Sequence, residues 1–209
     1  MTHRLDHLVY ATPHLEDTVE QLAHALGVRP QPGGQHQGWG THNYLASLGD
    51  GTYLEIVGPD PRQPDPDGPR PFGIDQLRGP SLVTWAISVP DMDEALHAAR
   101  ASGYDPGPAT AMARTASDGS MLSWQLTAPK LGDDGGVLPF LIEWGATTHP
   151  STTSVKGLRL RSFQAEHPTP ELVGVSLRAI KAPLTVSSGL RPRLIAVLHS
   201  PVGEVALHS

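Results

Sequence analysis

Two stretches of this 209-residue chain place a histidine or a carboxylate inside an otherwise apolar strand, and they repeat. The first copy runs Leu5-Asp6-His7-Leu8-Val9-Tyr10-Ala11-Thr12-Pro13, continues through a helix, and closes on Thr52-Tyr53-Leu54-Glu55-Ile56-Val57. The second runs Leu82-Val83-Thr84-Trp85-Ala86-Ile87-Ser88-Val89-Pro90, again a helix, and closes on Phe140-Leu141-Ile142-Glu143-Trp144. Aligning Pro13 with Pro90 sets His7 against Thr84, and matching the closing strands sets Glu55 against Glu143. The repeat therefore gathers residue types able to bind a metal. By the period-two alternation of a strand, each glutamate points away from its two apolar neighbours, and so into a cleft if helices cover the other face. The plainer alternative is a solvated glutamate on an open sheet face and a strand histidine bonded to backbone.

A second constellation is Gly33-Gly34-Gln35-His36-Gln37-Gly38-Trp39-Gly40-Thr41-His42-Asn43. Its glycines permit close backbone approach and positive φ. His36, His42 and Asn43 supply donors and acid–base groups that titrate near neutrality, and Trp39 offers a stacking wall. The segment is expected to edge a substrate cleft, with His36 or His42 replacing a missing ligand or handling protons. It is not a phosphate loop, because no lysine follows and no helix start is in place. Trp124 and Trp144 lie on predicted strands of the second half, at least one of them in the core and Trp124 a candidate cleft residue.

The elements that must position these groups follow from pattern. Residues 5–12 alternate and read as a strand. Pro13 opens a helix with Glu16 and Asp17 in its first turn, Val19, Leu22, Ala23 and Leu26 recur at helical spacing, and Gly27 stops it. Tyr44–Leu48 and Thr52–Val57 form a hairpin about Gly49-Asp50-Gly51, which makes residues 1–58 one βαβββ module. Residues 59–81 are rich in Pro, Asp and Gly and read as a surface crossover placed to lid a cleft. The second βαβββ module spans 82–150, with a helix over 92–102, strands near 109–116, 120–128 and 137–145, and a turn at Gly132-Asp133-Asp134-Gly135-Gly136. Residues 151–209 repeat the order of elements, with a strand at Leu158–Phe163, a helix opened by His167-Pro168-Thr169-Pro170-Glu171, and three short strands. In this copy Ser162 stands at the His7 position and Leu207 at the Glu55 position, so it is expected to be structural or to form a homodimer contact.

Composition narrows the function classes. A hydrophobic share of 38%, a charged share of 17% and a net charge of −6 fit a soluble globular chain and argue against a nucleic-acid partner. No apolar run approaches the roughly 20 residues needed to cross a bilayer. The N-terminus runs straight into a strand, which leaves no room for a signal peptide, so a cytoplasmic location is the expectation. The absence of cysteine removes disulfides, thiolate zinc sites and a cysteine nucleophile. No Gly-x-Ser-x-Gly elbow and no dinucleotide fingerprint is present, so no nucleotide cofactor is expected. Several of the 11 histidines, His3, His14, His24, His97 and His208, sit in termini or on polar helix faces.

Paired βαβββ modules with His7 on a first strand and Glu55 and Glu143 on closing strands resemble the vicinal oxygen chelate superfamily, which includes glyoxalase I, extradiol dioxygenases and bleomycin- and fosfomycin-resistance proteins. More closely, Leu5-Asp6-His7-Leu8-Val9, the Gly33–Asn43 segment and Gly51-Thr52-Tyr53-Leu54-Glu55 are similar to its glyoxalase-like domain subfamily, over roughly residues 4–150. The resemblance implies an α+β fold in which two modules form a half-barrel cleft with a third, degenerate module behind. It also implies a divalent metal (Mn, Fe, Zn or Mg) held by the positions of His7, Glu55, Thr84 and Glu143, with Thr84 departing from the usual histidine. The implied activity is lyase, isomerase or dioxygenase chemistry on a small oxygenated metabolite. His7, Glu55 and Glu143 would hold the metal and Glu143 or His42 would move protons. Contacts to the substrate would come from His36, Trp39, His42, Asn43, Thr84 and Trp124. The alternative reading is a metal-free protein that binds or sequesters a small molecule.

Overall fold

The computed structural model describes residues 3–115, 119, 121–129, 132 and 134–209. The strand ends expected at 116 and 120, and Asp133 of the expected turn, lie outside the described residues. The first module consists of β1 (Arg4–Ala11), α1 (Leu15–Leu26), β2 (Gln31–His36), β3 (Thr41–Gly49) and β4 (Thr52–Pro59). The second consists of β5 (Ser81–Ser88), α2 (Met92–Ala101), β6 (Ala109–Thr115), β7 (Met121–Thr127) and β8 (Phe140–Glu143). Both helices form where the sequence places them. On α1, Leu15, Val19, Leu22 and Leu26 are buried on one face and Gly27 ends the helix at φ 63°. On α2, the Asp91 side chain caps the first turn by accepting from Glu94 N at 2.8 Å.

The two modules share one eight-stranded sheet, ordered β2-β3-β4-β1-β5-β8-β7-β6. Each first strand runs parallel to its module's last strand, and β1 meets β5 antiparallel at the centre. The internal repeat is visible in the irregularities of that central pair. The β1–β5 register slips twice, leaving Asp6 as an extra residue on β1 and Val83 as an extra residue on β5. The offset that carries His7 onto Thr84 also carries Asp6 onto Val83, so each module has a bulge just before its equivalent residue. The outer strands curl toward each other until the Arg114 guanidinium on β6 donates to the Gly33 carbonyl on β2, bridging the seam of a nearly closed barrel.

Alternation along the strands divides the interior in two. Leu8, Leu54, Trp85 and Ile87 pack outward beneath the helices, whereas Val9, Val57, Phe140 and Ile142 face the barrel interior. Trp85 is fully buried and its indole donates to the Val137 carbonyl at 2.9 Å. The backbone passes so close there that a Cβ on Gly136, at φ +78°, would lie 1.8 Å from the Val83 carbonyl oxygen. The crossover contains one tight 3₁₀ stretch over Pro71–Gln76. There Phe72, at φ 61°, inserts into the interior cluster.

The C-terminal unit has β9 (Arg159–His167), α4 (Pro170–Ala179), β10 (Val186–Ser188), β11 (Arg193–Ser200) and β12 (Gly203–His208), preceded by the short α3 (Pro150–Thr153). Its order of elements matches the expectation but its pairing does not. The strands run β10-β9-β11-β12, with β9 in the interior, parallel to β10 and antiparallel to β11. In the two modules the first strand pairs instead with the last strand of its own module. The third unit is therefore a separate small sheet rather than a degenerate copy, and Leu207 has no claim to the Glu55 position. It packs against the outer face of the large sheet, where Leu177, Ile180, Leu194 and Leu198 join the core beneath α1 and α2, and Phe163 meets Trp85 edge-on at 5.2 Å.

Candidate functional site

His7 and Glu55 are brought together inside the barrel. In the parallel β1–β4 pair Val9 stands beside Glu55, and His7 Nε2 lies 3.7 Å from Glu55 Oε2. The bulge at Asp6 turns two consecutive side chains toward the same region. Asp6 Oδ1 accepts from His7 Nδ1 at 2.7 Å, which turns His7 Nε2 toward the glutamate. Asp6 is fully buried. Its other oxygen accepts from His149 Nε2 at 3.0 Å and from Trp144 Nε1 at 3.1 Å. Burial pushes the Asp6 carboxyl up, but the hydrogen bonds from His149 and His7 outweigh it and hold the group at about 2. Tyr53 stacks on His7 with ring centroids 4.6 Å apart. Burial raises its phenol well above 10, with the charges of Asp6 and Glu55 adding to the effect, so it stays protonated.

The glycine-rich segment supplies the rest of the polar group. Asn43 Nδ2 donates to Glu55 Oε1 at 2.6 Å and faces His36 Nε2 at 3.3 Å. The amide is oriented by its own oxygen, which accepts from Gly34 N at 3.0 Å. With Nε2 accepting, the other His36 nitrogen donates to Thr41 Oγ1 at 3.0 Å. Burial lowers the His36 pKa, against an opposing pull from Glu55. Gly33 is the bulge residue of the β2–β3 pair, and a Cβ there would stand 2.2 Å from Asn43 Oδ1. Only glycine lets β2 approach so closely. Together these groups line a narrow cavity of about 40 Å³. Its apolar walls come from Trp39, Phe72, Met112, Trp124, Phe140 and Trp144, and the rings of Trp124 and Trp144 are 5.4 Å apart.

A family model described as the glyoxalase-like domain matches residues 5–180. The chain belongs to that family. No curated protein matches it in sequence. Among solved structures, a hypothetical protein from Staphylococcus aureus superposes with a TM-score of 0.64 at 12% identity, covering 90% of this chain and 87% of that one, and shows the fold alone. Methylmalonyl-CoA epimerase from Mycobacterium tuberculosis gives a TM-score of 0.42 at 23% identity, over 66% of this chain and 86% of that one. A Streptomyces coelicolor methylmalonyl-CoA epimerase in complex with 2-nitronate-propionyl-CoA gives 0.45 at 20% identity, over 72% of this chain and 100% of that one. With its paired modules on one sheet, this glyoxalase-like chain has the vicinal oxygen chelate fold.

The expected metal shell is not assembled in this glyoxalase-like chain. Glu143 faces the outer side of the sheet, where its Oε2 accepts from Met92 N at 3.0 Å and caps the start of α2. The residue in register with Glu55 is Phe140. Val9 pairs with Glu55 and Ala86 pairs with Phe140, and the offset between those pairs is the one that carries His7 onto Thr84. Thr84 is buried but does not line the cavity. His42, one residue from Asn43 on β3, points outward, with Nε2 3.9 Å from Glu16 and Nδ1 3.4 Å from Arg62. His7 Nε2 faces Glu55 Oε2, and His36 Nε2 lies 3.6 Å from Glu55 Oε1 with the Asn43 amide bonded to both. Among the described residues no three His, Asp or Glu side chains are grouped to hold a metal ion. The residues present do not fit the expected shell. Glu143→Ala is accordingly expected to cost about 1 kcal/mol of stability through the lost cap. Urea denaturation would show that loss, with ligand binding in the cavity unchanged.

Asp6, Tyr53, Arg114 and His149 were not among the residues singled out from sequence. The available signal was the adjacency of Asp6 and His7, which alternation alone assigns to opposite faces. Among the described residues no helix is long and apolar enough to cross a membrane.

Proposed function

We propose that this glyoxalase-like protein is a small-molecule enzyme of the isomerase or lyase type that moves a proton at a carbon next to a carbonyl. The observation that carries this reading is the opposed pair of His7 Nε2 and Glu55 Oε2, 3.7 Å apart in an otherwise aromatic cavity. A carboxylate beside an imidazole is a pairing suited to proton abstraction from a carbon acid. Glu55, held at one oxygen by Asn43, presents the other as the base, takes the proton from carbon to leave an enolate, and returns a proton to carbon. His7, oriented by Asp6, faces the same space through Nε2. His36 and Tyr53, both uncharged, set the polarity around them, and the tryptophans exclude water so that charge developing on the substrate is felt strongly. No step is assigned to a metal.

The test is deuterium exchange in D₂O, followed by proton NMR, over a panel of small ketones, 2-oxo acids and 2-hydroxy acids. Catalysed loss of the proton next to the carbonyl for at least one compound, unchanged in chelator, is the expected result. Saturable binding without exchange would replace this reading with sequestration. Exchange abolished by chelator and restored by Mn, Fe or Zn would restore the metal.

A further inference from the structure

Arg114 is the one guanidinium or ammonium group on the cavity wall among the described residues, and its position indicates what the cavity takes. Its side chain is 6% exposed, on the edge strand β6, and donates across the seam to the neutral Gly33 carbonyl. Among the described residues no carboxylate forms an ion pair with it. A guanidinium has five N–H donors in a planar fork suited to a carboxylate, and burying such a charge beside a neutral partner is costly unless an anion completes it. Burial pulls its pKa below the usual arginine value, opposed by the nearby Tyr53 and Glu55.

Arg114 also lies where inside meets outside. It lines the inner cavity and two outer clefts beside the seam, one with Gly33, Asn43 and Arg62 and the other with Leu45, Leu122 and Thr147. The described lining of the first cleft includes two arginines and no carboxylate, on a chain of net charge −6. Arg62 is already paired with Asp60 at 2.9 Å, which leaves Arg114 as the arginine of that lining without an ion-pair partner among the described residues.

We infer that the cavity binds a small monocarboxylate carrying an apolar arm, a 2-oxo or 2-hydroxy acid in class. Its carboxylate sits on Arg114 at the seam and its arm lies against Trp124 and Trp144. The carbon beside the carbonyl is then turned toward Glu55 and His7. A cavity of about 40 Å³ has room for only a few waters, so the ligand must part the seam. A carboxylate that replaces the Gly33 carbonyl as the partner of Arg114 releases that latch. This inference rests on the proton-transfer reading for its choice of cavity, but it concerns binding and is tested by binding.

Calorimetric titration would compare 4-methyl-2-oxopentanoate with 4-methylpentan-2-one, its counterpart with a methyl group in place of the carboxylate. The wild-type protein is expected to bind the acid at least tenfold more tightly. Arg114→Met is expected to remove that preference, and Arg114→Lys to keep part of it. Equal binding of the two compounds by the wild type would overturn the inference without any variant, as would failure of the acid to bind below about 10 mM. A preference that survives Arg114→Met in a folded protein would also overturn it. Proton exchange on the ketone without a preference for the acid would sink this inference and leave the proposed reaction standing. A preference for the acid without exchange on either compound would do the reverse.

Discussion

Asp6→Ala is expected to lower the unfolding free energy by about 3–5 kcal/mol, the range for removing one partner from a buried charged network. The carboxylate is fully buried and accepts from His7, His149 and Trp144, which belong to β1, the segment before α3 and the end of β8. Alanine would leave three donors without that acceptor, those of His7 and Trp144 on buried residues, and each such orphan is costly. The network also has a signature in acid. The folded-state pKa of Asp6 is depressed to about 2 from 3.8. Its contribution is therefore complete above the unfolded value and is lost as pH falls through the folded one. The shift corresponds to about 2 kcal/mol. Urea denaturation at intervals from pH 6 to pH 2 should show wild-type stability falling between about pH 4 and pH 2, with that part of the slope missing in Asp6→Asn. A loss under 1 kcal/mol in Asp6→Ala would mean that the three donors find water or other partners.

The fold was legible because its signals are local and repeated. Pro13 with Glu16 and Asp17, and Pro90 with Asp91, mark both helix starts, and the offset that aligns the modules also relates the bulges found at Asp6 and Val83. His7, Glu55, His36, Trp39, Asn43 and Trp124, singled out from the sequence, all line the cavity. What failed is what depends on register. Matching Glu143 to Glu55 by residue type slid the closing strand three positions from its structural equivalent, Phe140, and an odd slip in a strand reverses the face. The same alternation puts His42 outside once Asn43 is inside. The third unit shows a different limit, because the order of elements does not determine which strands pair. There β9 pairs with β10 straight across the helix, where β1 pairs with β4. Arg114 could not be placed because its role arises from the meeting of β6 with β2, at opposite ends of the sheet.

Glu55→Gln separates chemistry from architecture at the same site. Glutamine has the shape of glutamate, and its carbonyl oxygen can still accept from Asn43 Nδ2, which now bonds Glu55 Oε1 at 2.6 Å. Its amide faces His7 Nε2, which lies 3.7 Å from Glu55 Oε2. Both neighbours keep a partner, so stability should stay within about 1 kcal/mol of the wild type. The base, however, is gone, since an amide cannot take a proton from carbon at neutral pH. Exchange of the proton beside the carbonyl should therefore fall by about 10²–10⁴-fold, the contribution of a positioned general base. Binding of the same compound should change far less, because the carboxylate of an acid substrate sits on Arg114 and its arm on the tryptophans. A Glu55→Gln protein that keeps more than a tenth of the wild-type exchange rate would move the base elsewhere in the cavity, and His7, whose Nε2 already faces Glu55, would be the group to replace next.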